Sequence, residues 1–204
     1  MLATSAALVL PGTAGAATHE ATANGNAFIG GLSFEPRELK VAVGDTVRWT
    51  NTDAFVPHTV TEKHELFDLA GTYGGTPANP PGFAPGSSVE RIFSAGSFDY
   101  FCRVHEEMLG VVEAPAGARV KGKGKRRKVV AKWGGEKLPQ GQVFDVQRSV
   151  NGARFKKVED GTRELRGKYE AKRGDEVAFR ARVRLESDPS RASGYSPATE
   201  VKVR

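Results

Sequence analysis

The sequence is poor in the residues that build disulfides and in the long apolar runs that cross membranes. Cys102 is the only cysteine among 204 residues. One cysteine excludes an internal disulfide, and a lone thiol in an oxidising compartment is a liability unless something occupies it. No apolar run approaches the roughly 20 residues that a membrane-spanning helix needs, so a soluble, non-transmembrane body is expected. What the chain has in quantity is Gly (24) and Pro (11), with apolar content at 39%. That mixture suits β-sandwiches with many turns better than helical bundles.

The net charge of +6 conceals an asymmetry. Residues 27–116 hold six Lys/Arg against twelve Asp/Glu, whereas residues 117–204 hold 24 against 11. Halves of opposite sign point to two domains with different partners, or to two halves that attract each other. At the other end, Met1 to Leu10 is small and apolar, Pro11-Gly12 breaks it, and Ala14-Gly15-Ala16 fits a small-x-small cleavage pattern. Residues 1–16 are therefore expected to be a signal peptide, although the usual positive n-region is missing. Export would place the protein in a periplasmic or extracellular setting.

Short alternating strands with turn punctuation fill the rest. Leu39 to Val43 and Thr46 to Thr50 flank Gly44-Asp45; Val89 to Phe93, Phe98 to Phe101 and Leu109 to Ala114 follow, with residues 71–87 read as loop. Ala114-Pro115-Ala116-Gly117 ends a first domain, set at 27–114. Seven cations between Arg119 and Lys128 then read as a solvated basic linker over 115–128. Val129 to Trp133, Val143 to Arg148 and Val177 to Leu185 predict a second β-sandwich over 129–204, with Asn151-Gly152 as a tight hairpin turn. In Phe179 to Leu185 apolar residues alternate with Arg180, Arg182 and Arg184, which predicts one buried face and one strongly basic face. The fold class is all-β, in two sandwiches with no repeat between them.

The chemistry concentrates in Tyr100-Phe101-Cys102-Arg103-Val104-His105-Glu106-Glu107-Met108-Leu109-Gly110. A thiolate, an imidazole and a thioether are spaced C-x2-H-x2-M on a short loop between two strands. Pro57-His58-Thr59-Val60 offers a second imidazole at another strand end. Two His and a Cys with a weak axial Met form a compromise that both Cu(I) and Cu(II) tolerate. Zinc more often takes several Cys or His without Met. Each residue alone has an ordinary reading as core filler or surface polar group; the joint spacing points to copper held by His58, Cys102, His105 and Met108. Multicopper oxidases and copper nitrite reductases need further histidine clusters, and only His19 and His64 remain. With four ligands committed, no open position is left for a substrate, so no enzymatic activity is expected. If cleavage follows Ala16, the new terminus Ala17-Thr18-His19 offers a second, square-planar Cu(II) or Ni(II) motif; His64 reads as a surface residue.

The stretch from about Phe34 to Ala114 resembles a cupredoxin of the plastocyanin/amicyanin group. The likeness is carried by Phe34-x-Pro36, Val41-x-Val43-Gly44-Asp45-x-Val47-x-Trp49-x-Asn51, Pro57-His58-Thr59-Val60 and Gly96-x-x-x-Tyr100-x-Cys102-x-x-His105-x-x-Met108-x-Gly110. The two-residue gap between His105 and Met108 is similar to the short ligand loop of amicyanin. The resemblance implies a Greek-key sandwich and one type 1 copper ion, with His58, Cys102 and His105 equatorial and Met108 axial. It also implies outer-sphere transfer of single electrons through the edge of His105. Two departures stand out. Thr59 replaces an Asn that ties the ligand loops together in many relatives, and Leu66 to Ser88 is longer and richer in Pro and Gly than the family's middle segment.

The C-terminal part resembles a fibronectin type III domain through Trp133, Phe144 to Arg148, Val177 to Val183 and Gly194-Tyr195-Ser196-Pro197. The reading of the whole is an exported electron carrier. A redox protein is expected to dock near His105 on an apolar ring of Pro57, Val104, Leu109 and Phe83, steered by Glu106 and Glu107. The basic linker and second domain are expected to face an anionic cell-wall polymer or lipid surface rather than nucleic acid, because stacking aromatics are not interleaved with the cations. Copper storage or delivery, and an adhesion module on a cupredoxin scaffold, are the alternative functions.

Overall fold

Period-two burial is what makes the strands of this chain. In β4 (Thr46–Asn51) the side chains of Val47, Trp49 and Asn51 are buried while Thr46, Arg48 and Thr50 are partly exposed. In β8 (Gly96–Phe101) Phe98 and Tyr100 are buried on the same principle. The computed structural model describes residues 15–26, 30–74, 81–122 and 127–204, and every regular element among them is a strand. The expected all-β class holds. No helix among the described residues is long and apolar enough to cross a membrane.

The first sandwich packs two sheets. One has β1 (Thr18–Asn26), β2 (Gly30–Glu35), β4 and β7 (Ser88–Ile92) in the order β2-β1-β4-β7. The other has β3 (Glu38–Lys40), β5 (Val60–Glu62), β6 (Asp68–Leu69), β8 and β9 (Leu109–Ala114) in the order β3-β9-β8-β5-β6. Between them Trp49 meets Tyr100 edge-on at 5.5 Å, and Trp49 Nε1 donates to Tyr100 Oη at 3.2 Å. Phe34, Phe93 and Phe98 complete a fully buried aromatic core. Gly110 is required here: a Cβ would lie 2.3 Å from the Tyr100 ring. The first domain was expected to begin at residue 27, but Thr18 to Asn26 is already a strand, parallel to β4 with Ala21 opposite Trp49. Residues 1–14 of the expected signal segment lie outside the described residues.

The second sandwich has β10 (Gly117–Lys121), β11 (Arg127–Lys132) and β14 (Arg166–Ala171) in one sheet, ordered β10-β11-β14. The other sheet has β12 (Gln142–Val150), β13 (Lys156–Thr162), β15 (Glu176–Leu185) and β16 (Thr199–Lys202), ordered β13-β12-β15-β16. The Asn151-Gly152 turn joins β12 to β13 with both residues at positive φ, 53° and 72°. Two expectations are corrected. Residues 117–121 and 127–128 belong to strands rather than to a solvated linker: Ala118 and Val120 alternate with Arg119 and Lys121, and the pattern pairs with β11. The arginines of β15 do not form an open basic face either. Asp145 on β12 is buried and accepts from Arg182 at 2.9 and 3.0 Å and from Arg184 Nε at 2.9 Å. The Arg180 guanidinium stacks on Phe155 at 4.3 Å and on Tyr195 at 4.8 Å.

The sandwiches meet over a bonded junction. Ser97 and Gly194 exchange two backbone hydrogen bonds, Ala95 N donates to Trp133 O, and Gln142 Nε2 donates to Leu66 O. Arg191 holds His64 O at 3.0 Å and Glu65 at 2.7 Å. Buried apolar residues form one cluster running through both sandwiches. The junction lies at the Ser97 end of β8. Cys102 follows the other end, about 17 Å away along the strand. The second sandwich thus covers one end of the first and leaves the ligand loops clear.

Candidate metal centre

His58, Cys102 and His105, three of the four expected ligands, lie together in the fold. The ligand atoms of His58, Cys102 and His105 all lie within 4.8 Å of one another. Cys102 Sγ is 3.7 Å from His58 Nδ1 and 3.8 Å from His105 Nδ1, and the two rings are 5.0 Å apart between centroids. His58, Cys102 and Met108 are fully buried at 0% exposure, whereas His105 is partly exposed.

Backbone geometry makes the Cys102–Met108 loop tight. His105 N donates to Cys102 O, Met108 N to His105 O and Cys102 N to Met108 O, at 3.0–3.2 Å. Met108 is therefore carried on the same closed turn as the thiol. His58 is fixed by a two-way backbone bridge with Phe83, which brings Gly82 and Phe83 back against the site. Gly82 permits that approach, since a Cβ there would lie 2.3 Å from His58 O. Buried Asn51 donates to Val56 O and Phe83 O and thereby clamps both flanks of His58.

Thr59 joins the two ligand loops. Its N–H donates to Cys102 Sγ at 3.3 Å, and its hydroxyl accepts from Arg103 N at 2.9 Å. The same hydroxyl lies 3.0 Å from Thr61 Oγ1, which donates to Asp68. Asp68 in turn pairs with the Arg103 side chain at 2.8 Å. The threonine thus ties the two ligand loops together.

Burial favours the neutral form of both imidazoles, the state in which they ligate a metal. Burial pushes the His58 pKa down to about 4, His105 adds to the effect, and Asp53 opposes it. Burial also lowers His105, against the pull of Glu107 and Asp53. Asp53 lies behind His58, its Oδ2 at 3.9 Å from Nε2. Both atoms are buried without a hydrogen-bond partner. An imidazole whose inner nitrogen faces a thiol and whose outer nitrogen faces a buried carboxylate suits a site that holds a cation. No spacing in the sequence marks Asp53 or Asp68 as part of the site.

The remaining expectations divide. Leu109 is exposed at 47% and Pro57 and Val104 are partly exposed, but Phe83 is buried, its backbone spent on His58. Phe55 and Tyr73, at 67% and 50% exposure, were not foreseen on this surface. Glu106 and Glu107 are exposed between the ligands. His64 contributes its carbonyl to the domain junction. His19 Nε2 is 2.8 Å from Asp45, whose other oxygen accepts from Ala17 N, so the groups of the expected second metal motif are engaged with the sandwich.

Residues 21–114 match the family described as copper binding proteins, plastocyanin/azurin family. The chain is 35% identical over 83 residues to the chloroplastic plastocyanin of Tetradesmus obliquus, covering 38% of this chain and 53% of that protein. It is 35% identical over 82 residues to amicyanin of Paracoccus denitrificans, covering 40% and 57%. With plastocyanin of Scenedesmus fuscus it shares 34% identity over 83 residues, covering 38% and 79%. The chain spans a little over half the length of the first two relatives. The family binds copper, and the His58, Cys102 and His105 group is consistent with one type 1 copper ion. Through residues 21–114 this chain belongs to the plastocyanin/azurin family of copper-binding proteins.

Proposed function

We propose that the protein is an exported carrier of single electrons, in which His58, Cys102, His105 and Met108 would hold one copper ion. The observation that carries this reading is the order of burial. Three of the four side chains are sealed from water, and His105 alone reaches the surface. Copper bound there supplies a one-electron couple. The protein's part is to hold the ligands still, exclude water and give a partner one short path to the site.

Each of those tasks has residues behind it. The Thr59 N–H draws charge from the Cys102 sulfur and so favours the reduced form. The Thr59-Thr61-Asp68-Arg103 chain of contacts stiffens the two loops against each other. Of the exposed apolar side chains, Leu109 follows Met108, Phe55 lies three residues before His58, and Tyr73 pairs with Gly82 beside Phe83, the backbone partner of His58. Such a surface fits the small, weak interfaces of electron-transfer encounters, with Glu106 and Glu107 steering a basic redox partner. With the ligand positions filled there is no place for a substrate, so a carrier is favoured over an enzyme.

For the second sandwich we propose a fibronectin type III-like fold, supported by its three-plus-four strand arrangement, and an anionic envelope surface as its partner. The carrier reading is tested by electron exchange between the copper-loaded protein and a small redox protein. Leu109→Glu should slow exchange at least tenfold and leave the visible spectrum unchanged. Equal rates in the two proteins would rule out docking at this surface.

A further inference from the structure

Strand register gathers six cations on one face of the second sandwich. Gly117, Lys132 and Arg166 form one row across β10, β11 and β14; Arg119, Val130 and Lys168 form the next; Lys121, Lys128 and Glu170 form the third. Residues paired in register share a face, so these nine positions point the same way, while Ala118, Val120, Val129, Ala131 and Tyr169 turn toward the core. All six cations are exposed. Two have protein partners: Lys128 pairs with Glu170 at 3.0 Å, and Lys132 Nζ lies 3.4 Å from Val43 O. This contrasts with the arginines of the opposite sheet, which Asp145, Phe155 and Tyr195 occupy.

We propose that this face docks the protein on an anionic membrane by binding lipid phosphate headgroups. The inference deepens the envelope reading given above and rests on it. Positions on this face recur roughly every 4.8 Å across the strands and every 6.8 Å along them, and six of the nine carry cations, so a plane of headgroups meets several at once. A single polymer strand would engage only one line of them. No aromatic side chain stands among the nine positions, which disfavours nucleic acid, whose bases need stacking partners. The only large apolar residue on the face, Val130, is 8% exposed, so nothing is offered for insertion into the hydrocarbon. Attachment is therefore electrostatic and reversible by salt. Because the second sandwich covers the end of the first opposite the ligand loops, docking by this face is compatible with an accessible His105.

The test uses the full chain with vesicles of mixed phosphatidylglycerol and phosphatidylcholine, and with vesicles of phosphatidylcholine alone, in low and high salt. The protein should cosediment with the first in low salt, be released in high salt and ignore the second. Each cation near an anionic surface is worth roughly fivefold in binding, so the loss of two in Arg119→Glu with Lys168→Glu should weaken binding by at least about 25-fold. A matched control, Arg154→Glu with Lys156→Glu on the other sheet's hairpin, makes the same change in net charge and should bind as the parent does. An equal loss in both variants would reduce the effect to net charge and overturn the proposal. So would binding to the neutral vesicles, or capture by soluble polyphosphate with none by vesicles. Far-UV spectra of the variants exclude unfolding, and the blue colour of the copper-loaded protein is scored separately, so the carrier reading and the docking reading can fail independently.

Discussion

Each sandwich buries a carboxylate beside a basic group, and the two are treated differently. In the second sandwich both Asp145 oxygens are engaged by Arg182 and Arg184, and the cluster is complete. In the first, Asp53 Oδ1 accepts from Phe55 N and Val56 N, but Oδ2 faces a histidine nitrogen 3.9 Å away with no bond formed. Buried polar groups are nearly always partnered, because leaving one unpaired costs on the order of 1–3 kcal/mol. The completed cluster is part of the fold's own structure. The incomplete one lies directly behind the candidate ligand His58.

The largest expected effect comes from breaking the completed cluster. Asp145→Ala leaves two arginines without their carboxylate and should destabilise the protein by about 3–5 kcal/mol in denaturant unfolding. Where the variant is still folded, its copper spectrum should match that of the parent. A stability loss below 1 kcal/mol would show that water replaces the carboxylate and that Asp145 is not structural.

Next comes acid. In metal-free protein the unfolded chain protonates His58 near its ordinary 6.5, while the folded chain resists until about 4. Between those values the unfolded state binds more protons, so stability falls as pH is lowered and is flat above the window. The expected loss is roughly 3 kcal/mol at about 1.4 kcal/mol per pH unit. A His58→Asn variant should lack that part of the slope; an unchanged slope would assign it to carboxylates elsewhere. The smallest effect on stability belongs to Asp53→Asn, within about 1 kcal/mol, because the amide oxygen can still accept from the turn. Its effect should appear instead in the copper-loaded protein as a raised reduction potential, since a negative charge behind His58 favours Cu(II). A potential unmoved by the substitution would make Asp53 a turn residue only.

The same contrast explains what could be read in advance. Cys102, His105 and Met108 were legible because their spacing is local, and His58 because its Pro-His-Thr-Val setting is distinctive. Asp53 was not: a carboxylate five residues before a histidine has no signature until the loop is folded. Thr59 and Arg103 meet across 44 residues, a distance no local pattern records. The alternation in β15 correctly told which side of the strand is buried, but not that Asp145 of the neighbouring strand meets its arginines. In β10 the period-two signal was present, with Ala118 and Val120 inward, and the density of charge around it hid the strand. β1 has no aromatic or large apolar residue to advertise a strand, only Thr18 and Thr22 being β-branched, and it is held by parallel pairing with β4.

The central claim is that the His58, Cys102, His105 and Met108 cluster holds copper in a type 1 site. The most direct measurement is the visible spectrum of metal-free protein titrated with Cu(II), alongside Cys102→Ser. An intense blue thiolate-to-copper band that saturates at one equivalent in the parent, and is absent from the variant, is the expected result. A parent that binds Cu(II) without the band, or a band that survives loss of the thiol, would contradict it.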